Sequence, residues 1–212
     1  MISPIHRIYH YPPIHPIKPI TVYINDRIQD FDLQEALGIV SKERRDYALR
    51  YRREHDQRLC LATYMLLQQA LKEKHGINEP PQFISGPHGK PSLKNHPEIH
   101  FNLSHCDEAA VCVIGTRPVG IDVESIHPFD SELAADTMNP EELRIIHSST
   151  DPSIAFTRFW TMKESLLKLT GEGITDNLPG ILSTAERYHF VTEEHEKERY
   201  VLTWVAEKTQ NL

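Results

Sequence analysis

Cysteine is scarce in this chain of 212 residues. Only Cys60, Cys106 and Cys112 occur, an odd count with no C-x-x-C spacing. A disulfide framework and a zinc site are both disfavoured, and a reducing cytoplasm is the expected home. Long apolar runs are missing too. No stretch approaches the roughly 20 residues that span a bilayer. The opening "MISPIHRIYHYPPIHPIKPI" has no continuous apolar segment of the signal-peptide kind, so neither a leader nor membrane association is expected. An excess of positive charge is also absent. The formal net charge of −7 argues against bulk nucleic-acid binding. Neither internal repeats nor low-complexity tracts break the chain. What remains is ordinary for a globular protein: 39% hydrophobic and 25% charged residues, enough for one large domain or two small lobes around a real core.

Five prolines fall in the first 20 residues, which predicts an extended arm laid over the body. His6, His10 and His15 suggest a metal cluster, but those prolines forbid the helix that would gather them, and no metal is expected there. "ITVYIN" (20–25) alternates and is β-branched, a strand signal. From Ser41 to His75 the pattern turns helical. A short polar, basic helix should precede a long buried one that stops at Gly76. "QFISG", "EIHFNLS", "AAVCVIG" and "PVGIDVE" read as strands separated by turn signals. Asn139 before Pro140, and Asp151 before Pro152, cap two further helices, the second ending at Gly171. "RYHFVT" and "RYVLTWVAE" close as a hairpin. Helices and strands come in blocks, without regular βαβ alternation, which argues for α+β.

"GIDVES" (120–125) reads as a core strand that carries two carboxylates. Residues two apart on a strand share a face, so Asp122 and Glu124 point one way and Ile121 and Val123 the other. Two carboxylates about 6 Å apart repel by roughly 3 kcal/mol at an effective dielectric near 20. A partly buried site tolerates that only with a cation or a shared proton. In the helix after Asp151, Phe159, Met162, Leu166 and Leu169 are the expected core stripe. Trp160, Glu164 and Lys168 lie on a neighbouring stripe, with Lys163 beside them. Glu164 and Lys168 have the order of an ordinary surface ion pair. The sharper reading joins strand and helix. Asp122, Glu124 and Glu164 would be three oxygen ligands for a hard cation, with Lys163 and Lys168 beside it to suit phosphate.

Four segments then appear in order: "GKP" (89–91), "FNLSH" (101–105), "VGIDVE" (119–124) and "FWTMKESLLKLTGEG" (159–173). Together they resemble the 4′-phosphopantetheinyl transferase family, in its larger two-lobed, Sfp-type subclass, whose members show G-K-P, F-N-x-S-H, G-[IV]-D-[IV]-E and W-x-x-K-E-x-x-x-K. The resemblance runs from about residue 40 to 173. It implies two similar α+β lobes with antiparallel sheets, residues 1–117 and 118–212, and coenzyme A in the cleft between them. It implies an enzyme of the holo-acyl-carrier-protein synthase type. Such an enzyme moves the phosphopantetheine arm of coenzyme A onto a serine of an apo acyl or peptidyl carrier protein and releases 3′,5′-ADP. Mg²⁺ is the implied metal, with Mn²⁺ as the alternative, and the two-lobed subclass works as a monomer.

The site residues follow the same resemblance. Asp122 and Glu124 match the metal-binding pair and Glu164 the third ligand. Glu164 is also the expected base for the serine hydroxyl, and Lys168 the lysine that stabilises or protonates the departing phosphate. Lys163 is expected as a second phosphate contact. "GPHGKP" is no P-loop, since Pro91 follows Lys90 and the spacing is short; within the family the matching lysine and proline border the adenine end. Ser104 and His105 match a pair that contacts the coenzyme phosphates. Residues 42–58 hold seven Lys/Arg against four Asp/Glu. That is a solvated helix laced with i,i+4 pairs or a clamp for the 3′-phosphate, with Arg44 and Arg58 the best matches and Arg45 in reserve, because acidic Glu43 and Asp46 fall where some relatives carry lysines. Cys106 replaces a Ser or Gln and is expected to be an inert thiol. Ile126, Phe129, Leu133 and Met138 are either a carrier-binding surface or core. Two other functions compete: an inactive relative that only binds coenzyme A or carrier protein, and a metal-dependent phosphohydrolase releasing the same nucleotide to water.

Overall fold

Strand alternation sets the layers. In the computed structural model, which describes residues 5–11, 19–86, 88–173 and 177–208, nine strands and six α-helices follow one another. The first half runs β1 (Arg7–Tyr11), β2 (Ile20–Asn25), α1 (Leu33–Ile39), α2 (Lys42–Ala48), α3 (Glu54–His75), β3 (Phe83–Ser85), β4 (Pro91–Leu93), β5 (His100–His105) and β6 (Ala110–Gly115). The second runs β7 (Val119–Ser125), α4 (Ser131–Thr137), α5 (Pro140–Ser148), α6 (Pro152–Thr170), β8 (Tyr188–His195) and β9 (Tyr200–Glu207), with a 3-10 segment, Leu178–Arg187, before the last hairpin. All pairing is antiparallel. One sheet is ordered β1-β2-β6-β5, another β7-β9-β8, and β3 and β4 make a separate two-stranded ribbon. The chain is thus α+β with antiparallel sheets.

β2 and β6 are buried on both faces, so each face has its own partner. Tyr23, Ala110, Cys112 and Ile114 turn toward α3 and join Leu59, Leu66 and Leu67. Val22, Ile24, Val111 and Val113 turn the other way. There they meet Val119, Ile121 and Val123 of β7 and Leu202 and Trp204 of β9. Helix α6 covers the far face of β7 and β9. The order of layers is therefore α3, sheet, sheet, α6, with an apolar core shared by the two sheets.

The helix ends are where the sequence puts them. Gly76 and Gly171 adopt left-handed backbone, φ 69° and 74°, and stop α3 and α6. Asp151 accepts from the amides of Ser153 and Ile154, and Asn139 shares a reciprocal capping box with Glu142. Three features differ from the sequence reading. The described part of the N-terminal arm is not merely draped, because β1 pairs with β2 in register. Asp26, buried at the end of β2, accepts from His6, from Arg7 at 3.1 Å and from the Tyr200 hydroxyl at 3.2 Å, tying the arm to β9. Helices α1 and α4 have only seven residues each, too short to show a helical period. Finally, of the expected core stripe of α6, Leu166 and Leu169 are buried but Phe159 and Met162 are only half-buried. Buried Thr157, Thr161 and Ser165 join the buried face, and their small side chains let the helix approach β7 closely. Of the N-terminal histidines considered for a metal, His15 lies outside the described residues.

Candidate active site

The closest approach is at Gly120. A Cβ built there would stand 2.0 Å from the Ser165 carbonyl oxygen and 2.8 Å from the Leu169 amide nitrogen. Only glycine permits that contact. The Thr161 hydroxyl meets Thr203 at 2.8 Å, and Thr203 meets Thr192 at 2.9 Å, so these three hydroxyls under the helix are satisfied. This contact fixes the next turn of α6, which carries Glu164 and Lys168, against the polar face of β7.

That face carries Asp122, 2% exposed, and half-buried Glu124. Asp122 Oδ1 accepts from Lys168 Nζ at 2.6 Å and from Ser104 Oγ at 2.9 Å, and Lys168 also donates to Ser104 Oγ at 2.8 Å. Ser104 arrives from β5, which runs beside β7 where the two sheets meet; there Asn102 Oδ1 accepts the Ile121 amide at 3.1 Å. Asp122 Oδ2 is buried and has no hydrogen-bond partner. Burial and the nearby charge of Asp122 push the Glu124 carboxyl up to about 7, against opposing contributions from Lys168 and a hydrogen bond with Trp160. Burial and the same Asp122 charge raise Glu164.

A cleft opens over this group. One part, a cavity of about 260 Å³, is lined by the 88–91 turn, Asn102, Leu103, Glu164, Lys168, Gly171 and Gly173. The other, about 380 Å³, is lined by Arg44, Tyr47, Tyr51, Ser104 and His105 among others, and shares Leu103 and Lys168 with the first. Lys90 bends across the C-terminus of α6 and donates to the Leu169 carbonyl at 2.8 Å, and burial lowers its pKa. Pro91 begins β4 at the same wall. Arg44 donates to the Cys60 carbonyl at 2.6 Å and lies over the Tyr47 and Tyr64 rings. The His105 pKa is lowered by desolvation first and by Lys168 next.

Nine of the eleven sequence-selected residues are thus grouped: Arg44, Lys90, Pro91, Ser104, His105, Asp122, Glu124, Glu164 and Lys168. Lys163 and Arg58 are not. Lys163 is 1% exposed, ion-paired with Glu142 at 2.8 Å and donating to the Leu178 carbonyl at 2.8 Å. It braces α5 and the 3-10 segment instead of facing phosphate. Arg58 is spent on Glu54 at 2.7 Å and the Gln29 carbonyl at 2.7 Å and lines neither part of the cleft. Arg45 donates to the Leu37 carbonyl at 2.6 Å. Of the proposed carrier-facing residues, Ile126 and Met138 are buried and Leu133 is exposed. Burial pushes the Cys106 thiol up to about 12, which suits an inert group. Residues without an assigned role also matter: Gly120 and Asn102 stand in two of the ordered motifs, and Trp160 is one helical turn before Glu164, but Tyr47 and Tyr51 carried no signal beyond their basic surroundings.

The residues fit a hard divalent cation. An orphaned carboxylate oxygen, two glutamates held above their usual range and an all-oxygen donor set are what such an ion would relieve. Among the described residues, however, no three acidic, histidine or cysteine side chains converge as a ready-made metal cluster; the neighbouring charge on Asp122 is balanced by Lys168.

Known proteins point the same way. A family model described as the 4′-phosphopantetheinyl transferase superfamily matches residues 118–210. The 4′-phosphopantetheinyl transferase psf-1 of Bacillus pumilus is 32% identical over 158 residues, covering 73% of this chain and 68% of that protein. A Bacillus subtilis 4′-phosphopantetheinyl transferase is 29% identical over 160 residues, 73% and 70% of the two chains. The 4′-phosphopantetheinyl transferase gsp of Aneurinibacillus migulanus is 36% identical over 138 residues, 64% and 57% of the two. With its ordered motifs joined at one cleft, the chain belongs to the 4′-phosphopantetheinyl transferase superfamily.

Proposed function

We propose that this protein transfers the 4′-phosphopantetheine arm of coenzyme A to a serine hydroxyl of an apo acyl or peptidyl carrier protein and releases 3′,5′-ADP. The observation that carries the assignment to this cleft is the buried, unpartnered Asp122 Oδ2 beside Lys168. A bond forms between the serine oxygen and the β-phosphorus, and the bond from that phosphorus to the bridging oxygen breaks. Glu164 takes the serine proton; its raised pKa makes it a stronger base at neutral pH than an ordinary carboxylate. Lys168 faces the bridging oxygen, where charge develops as 3′,5′-ADP departs. Mg²⁺, or Mn²⁺, would be held by Asp122, Glu124 and Glu164 and when bound would neutralise pyrophosphate charge. Lys90 and Pro91 would border the adenine end, and Arg44 and His105 would meet phosphate.

Support for two functional lobes, 1–117 and 118–212, is that the cleft draws Ser104 and Lys90 from one and Glu164 and Lys168 from the other. A single chain then suffices, and we place it as a cytoplasmic monomer. Among the described residues no helix is long and apolar enough to cross a membrane. The test is mass spectrometry of an apo acyl carrier protein incubated with the protein, coenzyme A and Mg²⁺, with and without EDTA. A gain of one phosphopantetheine, lost with EDTA, is expected. Coenzyme A binding with no gain on acyl or peptidyl carriers would refute transfer and leave a binding module.

A further inference from the structure

The link between α2 and α3 forms a knuckle, residues 49–53, at the rim of the cleft. Its composition is unusual for an exposed turn. Leu49 is 51% exposed and Tyr47 and Tyr51, on either side of it, 43% and 37%. Arg50, Arg52 and Arg53 are all exposed. Arg50 lies over the Tyr47 ring at 5.6 Å, while the side chains of Arg52 and Arg53, both exposed, have no ion-pair or hydrogen-bond partner among the described residues. The other cations of this region are already used: Lys42 on Asp46, Arg58 on Glu54, and Arg44 and Arg45 on the Cys60 and Leu37 carbonyls. The turn is nevertheless well ordered. Tyr51 N–H donates to the Ala48 carbonyl and Gln57 donates to the Tyr51 carbonyl at 2.8 Å. A fixed turn therefore presents apolar side chains ringed by free cations, on a chain whose net charge is −7.

We propose that this knuckle is the docking surface for the carrier protein, and that the carrier face seated on it is acidic with an apolar residue at its centre. The inference rests on the transferase reading above. Three observations favour it. Tyr47 and Tyr51 both line the part of the cleft that contains Lys168 and Ser104, so a partner seated on the knuckle stands at the entrance its serine must use. Charge complementarity selects an acidic partner, since exposed cations steer association with opposite charge. Exposed Leu133, a competing apolar residue, shares the seven-residue helix α4 with exposed Glu132 and Asp136, which would repel such a partner.

The test compares steady-state transfer to an acidic apo acyl carrier protein by the wild type and by the triple variant R50E/R52E/R53E. The variant should raise KM for the carrier roughly tenfold or more, the scale of lost electrostatic steering. The turnover at saturating carrier and the coenzyme A affinity, measured by calorimetry without carrier, should stay within about twofold of wild type. That calorimetric value also reports that the variant is folded. Calorimetric binding of the apo carrier to the wild type should weaken as NaCl rises from low to physiological strength, and the all-lysine triple variant should behave like wild type. An unchanged carrier KM in the charge-reversed variant overturns the inference, as does loss of coenzyme A affinity in step with carrier KM, which would assign the arginines to the nucleotide. If the wild type transfers nothing to any carrier, it is the transferase reading that fails.

Discussion

Replacing Gly120 by alanine adds one methyl group, and the structure says where it goes. The new Cβ would lie 2.0 Å from the Ser165 carbonyl oxygen, whereas ordinary contact begins at 3.4 Å. Both partners are backbone, so no side chain can swing aside. Helix α6 must therefore recede from β7 by about 1.4 Å, the difference between those distances. The Lys168–Asp122 contact of 2.6 Å and the Thr161–Thr203 bond of 2.8 Å stretch with it. Overpacking of this kind costs roughly 1–3 kcal/mol, and each buried hydroxyl bond lost adds about 1 kcal/mol, for a total on the order of 2–4 kcal/mol. Misplacing catalytic groups by about 1 Å can cost on the order of 100-fold in rate. Urea unfolding gives the stability, and saturating transfer to apo carrier gives the rate. Trimming Ser165 to alanine in the same background should rescue neither, because the clash is with its carbonyl. Stability within about 0.5 kcal/mol of wild type, with the rate within threefold, would refute the reasoning.

Glu164→Gln should slow transfer by roughly 100-fold or more while coenzyme A still binds; a loss under threefold would place the base elsewhere. In metal-free protein, Glu124 is raised to about 7 and Glu164 is raised too, so the folded state holds protons that the unfolded chain has released. Stability should therefore fall as pH climbs from about 4.5 to about 7, then level off, with Glu124 contributing on the order of 1–2 kcal/mol after allowance for the water that reaches it. Glu124→Gln should flatten this slope, and Mg²⁺ should stabilise the protein most above neutrality; a thermal melt series that shows no slope would contradict the assignment. Lys163→Met leaves Glu142 charged and buried, so it should cost about 3–5 kcal/mol, while Lys163→Met with Glu142→Leu should recover much of that. Equal destabilisation in single and double variants would count against a buried pair.

How much of this was legible follows from where the signals lie. Caps are local, so Asn139, Asp151, Gly76 and Gly171 could be read from a few residues each. The face of β7 was legible because a period of two admits only one alternative. Lys163 was not. It stands beside Glu164 in sequence, yet on a helix it points roughly 140° away from Lys168, whereas Glu164 and Lys168 differ by only about 40°. Its partner Glu142 comes from a different helix, and nothing local announces such a pairing. Half of the core stripe of α6, Leu166 and Leu169, was legible; the buried Thr157, Thr161 and Ser165 were missed because large apolar residues outrank threonine and serine on any hydrophobic scale, while the approach at Gly120 favours small ones. Arg58 was chosen as the match to a basic position of the family, and such a match does not reveal that Glu54, one turn back, pairs with it here.

The order of strands in the second sheet has a consequence for biosynthesis. β7, which bears Asp122 and Glu124, pairs with β9, and β9 lies between β7 and β8. About 75 residues of chain separate the two halves of that pairing, Ser125 and Tyr200. On the ribosome, β7 therefore emerges long before the strand that will cover its edge, with two carboxylates and an unpaired backbone exposed meanwhile. Contacts of such long sequence separation form slowly and leave aggregation-prone edges open while they wait. The cleft is thus completed only when Tyr200–Glu207 has left the exit tunnel, and a chain truncated before that point should lack the second sheet and, with it, the carboxylate site.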